Sequence, residues 1–302
     1  MKSEGRIPPQ MPRHPALDLA GPREWQRLTS VPGKAEVFGR DVFMRESWAS
    51  FVDGLEGERR AQRFIEQVAL VWLRPDAFAA GVTRHVLAAA DAAGFRALAA
   101  RPVRLERCGV RSLWAYAARC ATAEGLWLLE AIAALGRGLL VLYVDERWGP
   151  DGPSATVRMT EVKGAGDPTA RAPGTLRDVA GSPNPALTMV HAADEGADLV
   201  RELGVFLPWV ERRHLIVNAA RRLETGARCP LDQAVADVDS EFVSLGTEIE
   251  RSSRSGSDPE HVDHLLVGTL ERRWAGILAA AERWRLFSAG PVTGWWSEPV
   301  TS

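Results

Sequence analysis

Continuous apolar runs alternate with segments of helical periodicity through the middle of the chain. Four segments have the length and apolar content of strands: 68–73, 95–105, 139–144 and 187–190. Segments with the spacing of helices lie between or after them: 78–93, 110–135 and 194–207. The runs 68–73 and 139–144 are apolar at every position, which is typical of buried strands. This order of elements predicts an α+β domain.

The same order suits the ferredoxin-like, split βαβ arrangement, in which helices cover one face of a four-stranded antiparallel sheet. Before this domain, prolines predict an extended arm over residues 1–35, followed by helix-compatible spacing at 40–66. After Pro208 the strand patterns end, and helical patterns predict a C-terminal hairpin that includes residues 259–288. The predicted organisation is an N-terminal arm and helix (1–66), the α+β domain (67–208) and a C-terminal α-helical extension (209–302).

Composition and charge exclude several classes of protein. The chain has 37 basic and 39 acidic residues, a formal net charge of −2, and 46% hydrophobic residues. These values exclude an intrinsically disordered chain and do not favour nucleic acid as a partner. No apolar run approaches the roughly 18 residues of a membrane-spanning helix, and the N-terminus has no secretory pattern. Three widely spaced cysteines favour a reducing, cytoplasmic location.

Glycine, proline and aspartate are frequent in residues 145–188, which predicts a long loop with room for one short helix. A loop of this length inside a compact domain is often functional. It contains GAGDPTARAPGTLRD, from Gly164 to Asp178, and leads into VHAADEGADLVREL, from Val190 to Leu203. Together with VWLRPDAF at 71–78, these segments resemble the nucleoside diphosphate kinase family. They occur in the family's order, and the resemblance covers about residues 68–207.

The resemblance implies phosphoryl transfer through a phosphohistidine in a ping-pong cycle. His191 would be the nucleophile that accepts the terminal phosphate of a nucleoside triphosphate. A neutral imidazole can do this when one ring nitrogen is free and the other is held by a partner. Glu202 lies 11 residues after His191, which is the family's spacing, and would orient the ring.

Further residues are implied as contacts of the phosphates and the nucleotide. Arg177 matches a family arginine at the phosphates, and Arg74 stands where the family has a lysine at the transferred phosphate. The other matched positions are Tyr116, Thr188 and Asp194, of which Thr188 replaces a family asparagine. The family's Mg²⁺ is carried mainly by the nucleotide phosphates and water, so the resemblance implies Mg²⁺ without a protein metal site.

Departures from the family pattern leave two functions open. Thr160 stands where the family has a second arginine, Gly166 where it has a threonine, and Ala193 where it has a serine. These changes suit a phosphotransferase that serves a nucleotide or a specialised metabolite. They also suit a catalytically weak or inactive nucleotide-binding module that acts through a partner or an oligomer. A third interpretation is an assembly protein built on a retained fold.

The remaining expectations concern context, assembly and other charged residues. Only three of the 37 basic residues are lysines and alanine is abundant, which favours a GC-rich bacterium as the source. Together with the departures from the family pattern, this origin leads us to expect a role in secondary metabolism. Family members form oligomers, and we expect a homo-oligomer, with a dimer favoured because the extensions would cover part of the family's assembly surface. His261 and His264 share a predicted helix face, and Arg212 and Arg213 lie on another; both pairs are expected to be solvated surface.

Overall fold

The computed structural model describes residues 25–116 and 123–242. The helices in this part of the chain are α1 (Lys34–Phe38), α2 (Val42–Gly54), α3 (Glu58–Gln67), α4 (Pro75–Ala79), α5 (Thr83–Ala92), α6 (Arg107–Leu113), α7 (Ala123–Ala133), α8 (Ala155–Lys163), α9 (Leu176–Val179), α10 (Gly196–Phe206) and α11 (Trp209–Thr225). The strands are β1 (Val68–Leu73), β2 (Phe95–Val103), β3 (Gly138–Asp145) and β4 (Val190–Ala192). A last helical segment occupies residues 232–242.

The four strands form one antiparallel sheet in the order β2-β3-β1-β4. This topology confirms the ferredoxin-like prediction. The fourth strand starts later than the predicted 187–190, because the preceding residues are held in a turn. Asn184 Oδ1 accepts hydrogen bonds from the amides of Ala186 and Leu187, and Met189 has a φ of 58°. Pairing with β1 therefore begins only at Val190.

Helices cover both faces of the sheet, so the expectation of one covered face is wrong. Every residue of β1 and β3 is buried. On one face, Leu70 and Trp72 belong to a core that includes residues of α2, α3, α10 and α11. On the other face, Val71 and Val141 belong to a core with residues of α5, α7 and the segment 232–242. A strand that is apolar at every position needs cover on both sides, since successive side chains point to opposite faces.

The N-terminal segment is folded and packed from Trp25 onward, so the predicted extended arm is wrong for the part that is described. Trp25 is fully buried, and Phe38 of α1 joins the same core as Trp72. Helix α2 lies directly against α10. At Gly204 of α10 an added Cβ would overlap the backbone of Phe43, so the two helices are too close here for any residue with a side chain. Residues 1–24 of the predicted arm lie outside the described residues.

A buried arginine connects α11 to α2 and to the end of α10 by hydrogen bonds. Arg212 is 1% exposed and donates to Ser50 Oγ and to the carbonyl of Leu207, both at 2.8 Å. Burial lowers the pKa of Arg212 to about 10. The prediction that Arg212 is solvated is therefore wrong, because its donors satisfy buried acceptors. The predicted hairpin helix 259–288, with His261 and His264, lies outside the described residues. Across the described ranges, no helix combines the length and apolarity needed to cross a membrane.

Candidate active site

His191 and Glu202 form a hydrogen-bonded pair at the edge of the sheet. His191 lies in the middle of β4, opposite Trp72 of β1, and Glu202 lies on α10, the helix that follows β4. The distance from His191 Nε2 to Glu202 Oε2 is 2.8 Å, and both side chains are largely buried. A carboxylate in this position accepts a hydrogen bond from the Nε2–H group of the ring. The Nδ1 lone pair of the neutral imidazole is then available for reaction.

The His191 ring faces a cavity of about 670 Å³, a volume suited to a small organic ligand. Trp114 packs edge-on against the imidazole, with ring centroids 5.8 Å apart, and Trp72 lies behind Trp114. Trp114, Glu202 and Arg177 share the cavity wall with His191. The tryptophan edge and the Glu202 bond together restrict the orientation of the imidazole.

The turn that leads into His191 has a strained backbone. Met189 adopts a φ of 58°, which is rare for a residue with a side chain. Asp76 Oδ2 accepts a hydrogen bond from the Met189 amide at 3.1 Å, and the Arg74 amide donates to the Met189 carbonyl at 3.0 Å. Burial raises the pKa of Asp76, although Arg74 opposes this effect. The strand-end motif thus positions the strand that carries His191.

Arg74 and Thr188 bind each other and do not line the cavity. Arg74 is 3% exposed and donates from Nη1 to Thr188 Oγ1 at 2.8 Å and from Nη2 to the Ala186 carbonyl at 3.0 Å. Its Nε lies 3.2 Å from Asp76 Oδ1. The guanidinium therefore neutralises a buried carboxylate, and its donors are directed at the turn before His191.

Arg177 lines the cavity, next to the strand that carries His191. It donates from Nε to the carbonyl of Val190 at 3.1 Å and from Nη1 to the carbonyl of Gly164 at 3.0 Å. Burial, followed by the nearby Arg74, lowers the pKa of Arg177 to about 10. The side chain remains cationic at neutral pH, and it lies next to the strand residue that precedes His191.

Asp194 also lines the cavity, where it is bonded to helix α8. Its Oδ1 accepts from Lys163 Nζ at 2.7 Å and from Thr160 Oγ1 at 3.2 Å. Desolvation raises the pKa of Asp194, but the Lys163 ammonium and these hydrogen bonds outweigh it, and the net pKa lies below the usual value. The sequence reasoning did not identify Lys163 as a site residue, because a single lysine next to a glycine-rich loop is not a recognisable motif.

Tyr116 lines the cavity with its ring and bonds to the N-terminal helices with its hydroxyl. The hydroxyl donates to Asp41 Oδ2 at 2.8 Å, and Arg201 Nε donates to the same oxygen at 2.7 Å. The Phe38 and Tyr116 ring centroids are 5.2 Å apart, and the Arg201 guanidinium lies over both rings. Burial and the Asp41 carboxylate raise the pKa of Tyr116 to about 12.

One wall of the cavity, formed by Lys34 and Phe38, comes from outside the segment that resembles a known family, as does Asp41, which bonds to Tyr116 and Arg201. Lys34 Nζ lies 3.0 Å from Glu195 Oε2 and also pairs with Asp198. Burial raises the pKa of Asp198 to about 6, with Lys34 opposing the shift. No motif in the sequence indicated these residues, because they meet the site through contacts between segments that are 75 to 161 positions apart.

A protein-built metal site is not found in the part of the chain that the structure describes. No group of three or more His, Cys, Asp or Glu side chains there is arranged to hold a metal ion. The cavity does contain the Asp194 carboxylate, which is exposed. This donor set fits a Mg²⁺ ion that arrives bound to phosphates, and it does not fit an all-protein cage.

Comparison with known proteins gives the same family as the motifs. Residues 67–211 match the family model described as nucleoside diphosphate kinase. The nucleoside diphosphate kinase of Campylobacter hominis is 28% identical over 141 residues, which cover 46% of this chain and 94% of that protein. These matches confirm the resemblance for the segment that contains His191 and Glu202.

Solved structures of nucleoside diphosphate kinases align with just under half of this chain. The apo nucleoside diphosphate kinase of Encephalitozoon cuniculi is 16% identical with a TM-score of 0.39, over 46% of this chain and 87% of that one. The Halobacterium salinarum enzyme in complex with CDP is 20% identical with a TM-score of 0.37, over 47% and 87% of the two chains.

Proposed function

Because residues 67–211 form a nucleoside-diphosphate-kinase-like domain, we propose that this protein transfers the terminal phosphate of a nucleoside triphosphate to an acceptor through a phosphohistidine at His191. The acceptor is a nucleotide or a specialised metabolite. The observation that carries the proposal is the 2.8 Å bond from His191 Nε2 to Glu202, inside a cavity that also contains Arg177.

The proposed reaction has two in-line displacements at phosphorus. In the first, the Nδ1 lone pair of His191 forms a bond to the terminal phosphorus while the bond to the bridging oxygen breaks, and its electron pair leaves with the diphosphate. In the second, an acceptor oxygen attacks the phosphorus and the N–P electron pair returns to Nδ1. The proton stays on Nε2, from which the ring donates a hydrogen bond to Glu202 throughout, and the carboxylate stabilises the positive charge that develops on the ring.

Positive charge near the phosphorus supports both steps. Phosphoryl transfer depends mainly on positioning and on stabilising the charge spread over the equatorial oxygens. Arg177 is held beside His191 by its bond to the Val190 carbonyl, so its charge needs little reorganisation during the reaction. Mg²⁺, carried by the triphosphate, would neutralise phosphate charge when it is bound, and Asp194 is an exposed cavity carboxylate suited to contact it or its water.

A nucleotide-binding module without turnover is the second candidate function. It is favoured by Arg74 and Thr188, which bond to each other and do not line the cavity. In this reading the cavity binds a nucleotide, while the missing phosphate contacts prevent efficient transfer. The two functions differ in one observable, the formation of a phosphoenzyme.

We also propose that the protein forms a homodimer. Helix α2, which precedes residues 67–211, and helix α11, most of which follows them, pack on the domain and take up surface that would otherwise be free for assembly. Native mass spectrometry of the full chain tests this, with a hexamer as the result that contradicts it.

The test of function is the intact mass of the full chain after brief incubation with Mg²⁺ and each of several nucleoside triphosphates. We expect one added phosphate that is labile to acid and absent from His191→Ala. His85→Ala is the matched control, because His85 is exposed on α5, away from the cavity. Nucleotide binding without any added phosphate would favour the binding module, and equal labelling of wild type and His191→Ala would show that another residue is the nucleophile.

A further inference from the structure

Two cationic side chains bind the free edge of the sheet on either side of His191. Strand β4 is at the edge, and the residues that flank it bond to β1 and its end. The Met189 carbonyl accepts from the Arg74 amide, and the Ala193 amide donates to the Leu70 carbonyl. Peptide groups alternate in direction along a strand, so those of Val190 and Ala192 point away from the sheet.

These two outward carbonyls are the acceptors of the cations. Arg177 Nε donates to the Val190 carbonyl at 3.1 Å, and Lys163 Nζ donates to the Ala192 carbonyl at 3.2 Å. Both side chains line the cavity into which His191 opens. The arrangement places one positive charge beside the residue before His191 and another beside the residue after it.

Lys163 keeps a donor for a ligand. An ammonium has three N–H donors. Within the described chain, two are taken by the Ala192 carbonyl and by Asp194 Oδ1 at 2.7 Å. The side chain is 9% exposed, and it is the last residue of α8, so its position is set by the helix and by two bonds. The third N–H donor is therefore on an ammonium group whose position at the cavity wall is already fixed.

The other cations of the cavity are bound elsewhere. Lys34 pairs with Glu195 and Asp198, and Arg201 pairs with Asp41 and bonds to the carbonyl of Ser112. Lys34 belongs to the N-terminal helices, and Arg201 of α10 is tied to them through Asp41. Arg74 does not line the cavity, and Thr160, one turn before Lys163 on α8, carries no charge.

We propose that Lys163 acts with Arg177 to bind the phosphoryl group that is transferred at His191, with Asp194 holding the ammonium in position. This inference rests on the proposed function. Lys163 supplies the second positive charge at the phosphoryl oxygens. Its ammonium lies next to Ala192, the residue that follows His191. Two of the chain's three lysines, Lys34 and Lys163, line this cavity.

The first experiment measures phosphoenzyme formation by rapid quench and intact mass in Lys163→Gln and Lys163→Arg. Removing a preorganised charge from a reacting phosphate slows the step by about 10²–10³-fold, and we expect this for Lys163→Gln. Lys163→Arg retains the charge, and we expect it to form the phosphoenzyme at least tenfold faster than Lys163→Gln. Arg84→Gln is the matched control, because Arg84 is exposed on α5 and its loss of charge occurs away from the cavity. A wild-type rate in Lys163→Gln overturns the proposal.

A second experiment keeps the lysine and does not depend on turnover or on the folding of a Lys163 variant. Full-length His191→Ala is acetylated with a lysine-directed reagent, and Lys2, Lys34 and Lys163 are quantified by peptide mass spectrometry. We expect Mg²⁺ with ATP to protect Lys163 at least fivefold, and adenosine to leave its labelling unchanged. Equal labelling of Lys163 with and without saturating ATP overturns the proposal.

The two experiments distinguish the failure of this inference from the failure of the proposed function. Protection of Lys163 by ATP in a protein that never forms a phosphoenzyme would retain the phosphate-binding role and reject the transfer reaction. A phosphoenzyme that forms at the wild-type rate in Lys163→Gln would retain the reaction and reject the role of Lys163.

Discussion

Arg74 Nη1 donates to Thr188 Oγ1 at 2.8 Å, so two residues that match phosphate- or nucleotide-binding positions of a known family bind each other. Arg74 also lies against the fully buried carboxylate of Asp76. The Arg74–Asp76 pair supports the strained backbone at Met189, because Asp76 accepts a hydrogen bond from the Met189 amide. The cation at this position therefore contributes to the conformation of the turn before His191.

Arg74→Met is predicted to destabilise the protein strongly, because it leaves the buried Asp76 without its cation. Breaking one partner of a buried ion pair costs about 3–5 kcal/mol in the free energy of unfolding. Urea denaturation of Arg74→Met beside Arg84→Gln, an exposed arginine, measures the difference. A loss below about 1 kcal/mol would mean that Asp76 is neutral or solvated without Arg74.

Glu202→Ala is predicted to slow phosphoenzyme formation by about 10²–10⁴-fold, the range for a group that positions or holds a proton. Without the carboxylate, the imidazole loses the bond that keeps its proton on Nε2 and Nδ1 unprotonated. The rate is measured by rapid quench, and Glu211→Ala, on the surface of α11, is the control. A Glu202→Ala rate within threefold of wild type would contradict the orienting role.

Gly204→Ala is predicted to separate α10 from α2 and thereby to disturb Glu202. The added Cβ would overlap the Phe43 backbone, and overpacking of this kind costs roughly 1–3 kcal/mol of stability. The predicted signs are a lower urea midpoint together with slower phosphoenzyme formation. Gly149→Ala, where the added Cβ meets nothing within 4 Å, is expected to change neither. An unaltered midpoint in Gly204→Ala would show that the helices can shift freely.

Tyr116→Phe is predicted to reduce stability slightly and to leave ATP affinity within twofold of wild type. The hydroxyl donates to Asp41, and Arg201 still serves that carboxylate in the variant. The loss of one such bond costs about 0.5–1.5 kcal/mol. Calorimetric titration with ATP decides the second part, and a weakening of tenfold or more would show that the hydroxyl binds the ligand.

The stability of the protein is predicted to depend on Asp198 between about pH 4 and pH 7. Its pKa in the folded protein is raised to about 6 from 3.8, so the folded state holds this proton more tightly than the unfolded state. The resulting stabilisation is fully present below about pH 4 and is lost as pH rises through 6. The groups that face Asp198 are Lys34, Glu202 and Asp194.

Asp198→Asn removes this titration. Relative to that variant, the wild type should lose on the order of 2–3 kcal/mol of unfolding free energy between pH 4 and pH 7. Urea denaturation at half-unit pH intervals measures the difference. Parallel stability curves for the two proteins would show that Asp198 titrates near its ordinary pKa in the folded state.

The sequence determined the sheet, its order of elements and the pair at the centre of the site. Continuous apolar runs mark β1 and β3 because these strands are buried on both faces, and this signal needs no tertiary information. The spacing of 11 residues from His191 to Glu202 spans β4 and the first turns of α10, so local structure alone brings the two side chains together. The family motifs lie in this same continuous segment.

Only the tertiary structure decided which charges surround His191. Whether Arg74 faces the cavity or the turn depends on Asp76 and on residues more than 100 positions away, and a motif does not record such a choice. The same holds for Lys163, which donates to the Ala192 carbonyl, and for Phe38, which lines the cavity from the N-terminal helices. It also holds for Asp41, which accepts a hydrogen bond from the hydroxyl of Tyr116. Hydrogen bonds and ion pairs between distant segments leave no periodic pattern in a sequence, because their partners are brought together only by packing of the core.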